Sequence, residues 1–171
     1  LSLPTLNYLL KQKCKIIIAT HLGRPNGKID SKLTLNQIAK ELRKLSITIS
    51  KLNDSIGPEI KDKINRGKPK QLFLLENLRF YQEELQNDYA FAHSLANLAD
   101  FYVNDAFSVS HRKHASVSAI TKFIPSGTGF LLEKEISQLT KVLKPQKPLT
   151  WIIGGAKLDK LDLIEKALKK S

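Results

Sequence analysis

His21-Leu22-Gly23-Arg24-Pro25-Asn26-Gly27 follows the apolar run 15–19 after the single residue Thr20, so an imidazole, a guanidinium and two glycines stand where a strand meets solvent. Arginine offers a planar fork of donors suited to phosphate or carboxylate, glycine opens backbone conformations closed to other residues, and proline stiffens a turn. Taken alone, the stretch fits a solvent-facing arginine as well as an anion contact. Three other places repeat the pattern. LFLLEN runs into Arg79, with Glu76, Glu83 and Glu84 close by in sequence. Pairing with one of those carboxylates is the simpler reading of Arg79, worth at most about 1 kcal/mol if exposed. YVNDAFSVSHRKHAS carries His111, Arg112 and His114, with no Cys, Asp or Glu at ligand spacing to complete a metal site. Arg112 therefore reads as an anion contact. WIIGGAK places Gly154, Gly155 and Lys157 after a fourth apolar run, where free N–H groups at a helix start would favour phosphate. Neither G-x-x-x-x-G-K-[ST] nor G-x-G-x-x-G occurs.

No nucleophile sits beside a base, and no close pair of carboxylates is set in apolar surroundings, which argues against hydrolysis by triads or carboxylate pairs. Phosphoryl transfer suits an arginine-rich rim better, because it needs positioning and charge neutralisation more than a protein nucleophile.

The elements that must position these groups alternate in kind. Apolar runs at 14–20, 71–75, 101–103 and 149–153 read as strands, the first buried on both faces, and 47–49 as a short one. Helical spacing covers 5–12, 35–45, 57–66, 88–98, 115–122 and 130–142, and a last helix follows Gly155. Strands separated by helices of this length imply a parallel α/β sheet. In such sheets ligands bind outside the carboxyl ends of the strands, where the loops converge. Cations on four such loops make an anion-binding rim.

The chain has 171 residues and a net charge of +12, from 28 Lys and Arg against 16 Asp and Glu. That length allows one domain, or one plus part of another. The charge points to an anionic partner, although many lysines fall on helical stretches that read as solvated faces. No apolar run approaches the roughly 18 residues that span a bilayer. Cys14 is the sole cysteine, which excludes an internal disulfide and fits a reducing, cytoplasmic setting. With no methionine, and with LSLPTLNYLL and ALKKS at its ends, the chain reads as a piece of a longer polypeptide.

Taken in order, LPTLNYLL, ATHLGRPNG, DSIGPEI, LLENLRFYQEE, LADFYVNDAF, SHRKHAS, GFLLEKEI and IIGGAK resemble the phosphoglycerate kinase family over essentially the whole chain. The resemblance implies an incomplete two-lobe fold built on a three-layer, Rossmann-like parallel sheet flanked by helices. Residues 1–129 would be the phosphoglycerate-binding lobe lacking its opening strand, 130–146 an interlobe helix and linker, and 147–171 the first β-α unit of a nucleotide lobe. It further implies reversible phosphoryl transfer from 1,3-bisphosphoglycerate to ADP, giving 3-phosphoglycerate and ATP with Mg²⁺. By the same resemblance His21, Leu22, Gly23, Arg24, Arg79 and Arg112 hold the phosphoglycerate. Gly154, Gly155, Lys157 and Lys160 hold nucleotide phosphates, and Arg24, Lys157 and Lys160 act in the transfer. The Mg²⁺ and adenine contacts would lie mostly in the remainder of the second lobe. A cytoplasmic monomer with no nucleic-acid or membrane partner is implied when the protein is full-length, and no turnover by this piece alone.

Two departures from the family pattern stand out. GGAKLDK puts two residues between its lysines where the family has three, which turns Lys160 by about 100° on a regular helix. Ser108 stands where a glycine is usual after NDAF, and would be strained if the turn needs φ > 0. The competing readings are a catalytically dead relative and a basic nucleic-acid-binding module.

Overall fold

The computed structural model describes residues 2–45, 47–143 and Glu165. Among them run α1 (Leu3–Lys11), β1 (Ile16–Ile18), α2 (Asn36–Lys44), β2 (Ile49–Lys51), α3 (Pro58–Asn65), β3 (Leu72–Leu74), α4 (Gln82–Leu85), α5 (Tyr89–Ala96), β4 (Tyr102–Asn104), β5 (Ser126–Thr128) and α6 (Phe130–Leu143). Among the described residues every strand pairing is parallel, as the alternation of strands and helices requires. The strand at 149–153 lies outside the described residues, as does the last helix apart from Glu165.

The central strand is β3, in the order β1-β3-β2. Successive side chains of a strand point to opposite faces, and β3 shows the consequence. Leu72 and Leu74 join a cluster with Leu35 and Ala39, against which Leu6, Leu9 and Leu10 of α1 also pack. Phe73 and Leu75 join the other cluster, with Ile60 and Ile64 of α3 and Phe91 and Leu95 of α5. Helices thus cover both faces, giving three layers. The strand buried on both faces is therefore β3 and not β1: Ile16 is buried, but Ile17 and Ile18 are half-buried on an outer strand of this sheet.

Sequence periodicity implied one sheet; the ladders form two. β4 pairs with β5 in a separate two-stranded sheet. β5 is Ser-Gly-Thr and has no apolar signature; it forms because Tyr102 N–H donates to the Pro125 carbonyl and sets the register. Gly127 is also close against the Phe101 ring, 3.3 Å from where a Cβ would stand. The short strand expected at 47–49 begins two residues later, and 115–122 is helical only as a 3₁₀ turn at Ala119–Lys122.

Polar groups set the remaining ends. Asp88 caps α5 by accepting from Phe91 N–H at 2.7 Å. Asp105, past β4, accepts from Leu131 N–H at the start of α6 at 2.9 Å. The chain divides into two compact units, residues 1–132 and 133–171. Among the described residues no helix is long and apolar enough to cross a membrane.

Candidate functional site

Three loops leave the carboxyl ends of β1, β3 and β4, carrying Arg24, Arg79 and Arg112 respectively. All three side chains line one cleft of about 270 Å³, completed by Asn26 and Leu85.

The first loop depends on backbone shapes that side chains disfavour. Gly23 has φ +65°, and a Cβ there would stand 2.7 Å from Leu33 Cδ2. Asn26 and Gly27 follow at +55° and +76°, and Gly27 N–H donates to the Arg79 carbonyl at 3.0 Å. Glycine is required at 23 and 27, and asparagine tolerates the left-handed region better than most residues. The turn leaves Arg24 exposed and His21 half-buried.

Arg79 sits in a 3₁₀ turn, Leu78–Phe80, and is only 6% exposed. Among the described residues no carboxylate pairs with it, so the simpler sequence reading fails. Its neighbours are committed elsewhere. Glu76 binds Lys51 Nζ at 2.6 Å, and Glu84 accepts from Ser116 N–H and Oγ at 2.9 and 2.7 Å. Arg79 instead donates from Nη1 to the Gly23 carbonyl at 2.7 Å. Burial first, then Arg112 and Arg24, pushes its pKa below that of an ordinary guanidinium. The Nε atoms of Arg79 and Arg112 are both buried without a hydrogen-bond partner. A buried unpaired donor is costly, and two on neighbouring cations constitute an unmet demand for acceptors.

Arg112 reaches the cleft from a loop pinned by Glu84. The Glu84 main-chain carbonyl accepts from Ala115 N–H at 2.9 Å, and its carboxylate takes both bonds from Ser116. Burial raises the Glu84 pKa, and burial with Arg79 and Arg112 lowers that of His114, 3.6 Å away. Burial first, and then the cationic surroundings, outweigh the nearby carboxylate at His114. Ser108 lies in a 3₁₀ turn, Phe107–Val109, and is absent from the positive-φ positions, so it carries no left-handed strain.

His21 is held down to about 4 by burial, then by Arg79, His114 and Arg112. An unfolded His21 takes up its proton near 6.5 and the folded one does not until about 4. Stability therefore falls as pH drops through that interval. Relative to His21→Gln, the wild type is expected to lose stability between pH 6.5 and 4; parallel urea titrations of the two proteins would refute this if their stabilities stayed level.

Sequence reasoning placed Arg24, Arg79, Arg112, His21, Leu22 and Gly23 at one site. The structure brings the three arginines to one cleft with His21 beside them. Gly23 contributes its carbonyl to Arg79, and Leu22 gives a carbonyl to Asn77 while its side chain packs on the α2 cluster. Asn26 and Leu85 were missed, and Asn77 stood out only as a polar residue at the end of the β3 run, with no role attached. The Asn-Gly pair was a readable turn signal for Asn26; Leu85 had none. Gly154, Gly155, Lys157 and Lys160 lie outside the described residues.

The family model for phosphoglycerate kinase matches residues 1–171. A phosphoglycerate kinase of Moorella thermoacetica is 47% identical over 172 residues, covering 99% of this chain and 44% of the relative. One of Dictyoglomus turgidum is 45% identical, with 99% and 43% covered. Among solved structures, phosphoglycerate kinase of Coxiella burnetii superposes with a TM-score of 0.84 at 33% identity over 99% of this chain and 43% of that one. The Pyrococcus horikoshii enzyme gives 0.86 at 32%, over 98% and 44%. The chain spans less than half the length of these relatives. A parallel α/β core, an arginine cleft at its strand ends and a match along all of its residues lead to one assignment: the chain belongs to the phosphoglycerate kinase family.

Proposed function

We propose that this chain is the phosphoglycerate-binding part of a phosphoglycerate kinase, and that Arg24, Arg79 and Arg112 grip the substrate's anionic groups. The observation that carries this reading is the meeting of three arginines in one cleft, two with buried, unpartnered Nε atoms. The cleft suits a small acid with two separated charges, such as 3-phosphoglycerate or 1,3-bisphosphoglycerate.

In the complete enzyme the bond between the acyl oxygen and phosphorus breaks as a β-phosphate oxygen of ADP takes the phosphoryl group. The carboxylate left behind stays beside the arginines, which neutralise it without moving. His21 through Arg24 shape the rim, with Arg24 nearest the transfer. Gly154, Gly155, Lys157 and Lys160 are assigned to the nucleotide phosphates, within a unit of 147–171 joined by 130–146 to the lobe 1–129. Mg²⁺ would accompany the nucleotide and offset phosphate charge. Among the described residues no cluster of three or more His, Cys, Asp or Glu could hold a metal, and none is assigned to it. A cytoplasmic, monomeric full-length enzyme completes the proposal.

Calorimetric titration distinguishes this from a basic nucleic-acid module. 3-Phosphoglycerate should bind saturably and glycerate should not. Arg24→Ala and Arg112→Ala should each weaken binding about 10- to 100-fold, the value of one charge-assisted hydrogen bond. Unchanged affinity in both variants, with steeply salt-dependent RNA binding, would favour the nucleic-acid reading.

A further inference from the structure

We infer that Asn77 is a positioning residue for the arginine cleft, holding Arg79 and the Gly23 turn in register without touching the ligand. The inference rests on the phosphoglycerate reading for its ligand and on hydrogen bonding for its geometry.

Asn77 is fully buried and every polar group of its side chain is used. Its Nδ2 donates to the Leu22 carbonyl at 2.8 Å and to the Leu33 carbonyl at 2.9 Å. Its Oδ1 accepts from Arg79 N–H at 3.1 Å, and its own N–H donates to Glu76 Oε1 at 2.8 Å. The carbonyl after Leu22 belongs to Gly23, and it accepts from Arg79 Nη1. Asn77, Leu22, Gly23 and Arg79 thus close a ring. One end of the amide orients the main chain of Arg79, while its other end orients the peptide next to the one that Arg79 grips.

The ring is backed from behind. Leu33 is the residue against which Gly23 packs, and its carbonyl is held by the same Nδ2. Leu35 N–H donates to Glu76 Oε1 at 2.9 Å, so the 33–35 segment is tied at both ends. Neither Asn77 nor Glu76 lines the cleft. An ordinary buried asparagine satisfies itself locally, whereas this one spends both donors on segments 55 and 44 residues away.

The test measures 3-phosphoglycerate affinity by calorimetry and the Arg79 Nε–H resonance by NMR in the chain as it stands. Asn77→Asp keeps the acceptor for Arg79 N–H but sets a carboxylate against two carbonyls; Asn77→Ser is the milder change. Ile64→Val, a core change in the cluster beneath the other sheet face, lowers stability without touching the ring. Both Asn77 variants should shift or broaden the Arg79 resonance and bind at least about tenfold more weakly, since one charge-assisted hydrogen bond from Arg79 to the ligand is at stake. Ile64→Val should change neither. A folded Asn77→Ser with wild-type affinity and resonance overturns the inference. So does failure of both variants to fold, because a residue on which the whole fold depends is no dedicated positioner. If the wild type binds no 3-phosphoglycerate, the functional reading fails, and the resonance alone decides the inference.

Discussion

Arg79→Ala is expected to weaken 3-phosphoglycerate binding by at least about a hundredfold, the largest loss of any single change in the cleft. Arg79 is 6% exposed, faces two other guanidinium groups, and is paired with no carboxylate among the described residues. Its charge is offset only in part, by the Glu84 carboxylate, until an anion arrives, and desolvated charge-assisted bonds contribute about 1.5–3 kcal/mol each. Alanine also frees the Gly23 carbonyl, so the turn bearing Arg24 loses its tether. Arg79→Lys separates charge from geometry. A single ammonium keeps the positive charge but cannot bond the Gly23 carbonyl and present a fork as well, so an intermediate loss is expected. The ligand-free alanine variant should also raise the His21 pKa from about 4, because Arg79 is the foremost charge holding it down. Calorimetry and proton NMR of His21 supply both readings. Wild-type affinity in Arg79→Ala would end the proposal for this cleft.

Glu76→Ala should cost about 3–5 kcal/mol of folding stability, the penalty for breaking a buried ion pair from one side. Lys51 and Glu76 meet at 2.6 Å with side chains only 8% and 11% exposed. The loss of Glu76 leaves the Lys51 ammonium with only the Leu52 carbonyl and takes the acceptor from the N–H groups of Leu35 and Asn77 together. Lys51→Met should cost less, because Glu76 Oε1 keeps its two backbone donors. Urea unfolding with an unchanged m-value reads both changes. A Glu76→Ala midpoint shift no larger than that of Lys51→Met would show the carboxylate to be no hub.

Residue types alone pointed to β1, β3 and β4, to helices between them and to arginines at their ends. These features are local: a run such as Leu72-Phe73-Leu74 has few options but burial, and glycine beside asparagine or proline marks a turn wherever it falls. Boundaries slipped where the signal was not local. β5 carries no apolar run and exists through its ladder to β4. β1 read as the fully buried strand because its isoleucines match the pattern, yet burial followed from position in the sheet, and β3 took the centre.

For the site, sequence determined which cations lie at strand ends, since parallel strands deliver their loops to one edge. Only tertiary structure decided what each cation does there. Glu76, Glu83 and Glu84 sit close to Arg79 along the chain, and that nearness suggested a pair. Instead Glu76 went to Lys51, Glu84 to Ser116, and Arg79 to a carbonyl 56 residues away. Composition can specify donors and acceptors, but the choice among partners belongs to whichever strand ends the packing of the two cores brings within hydrogen-bonding reach.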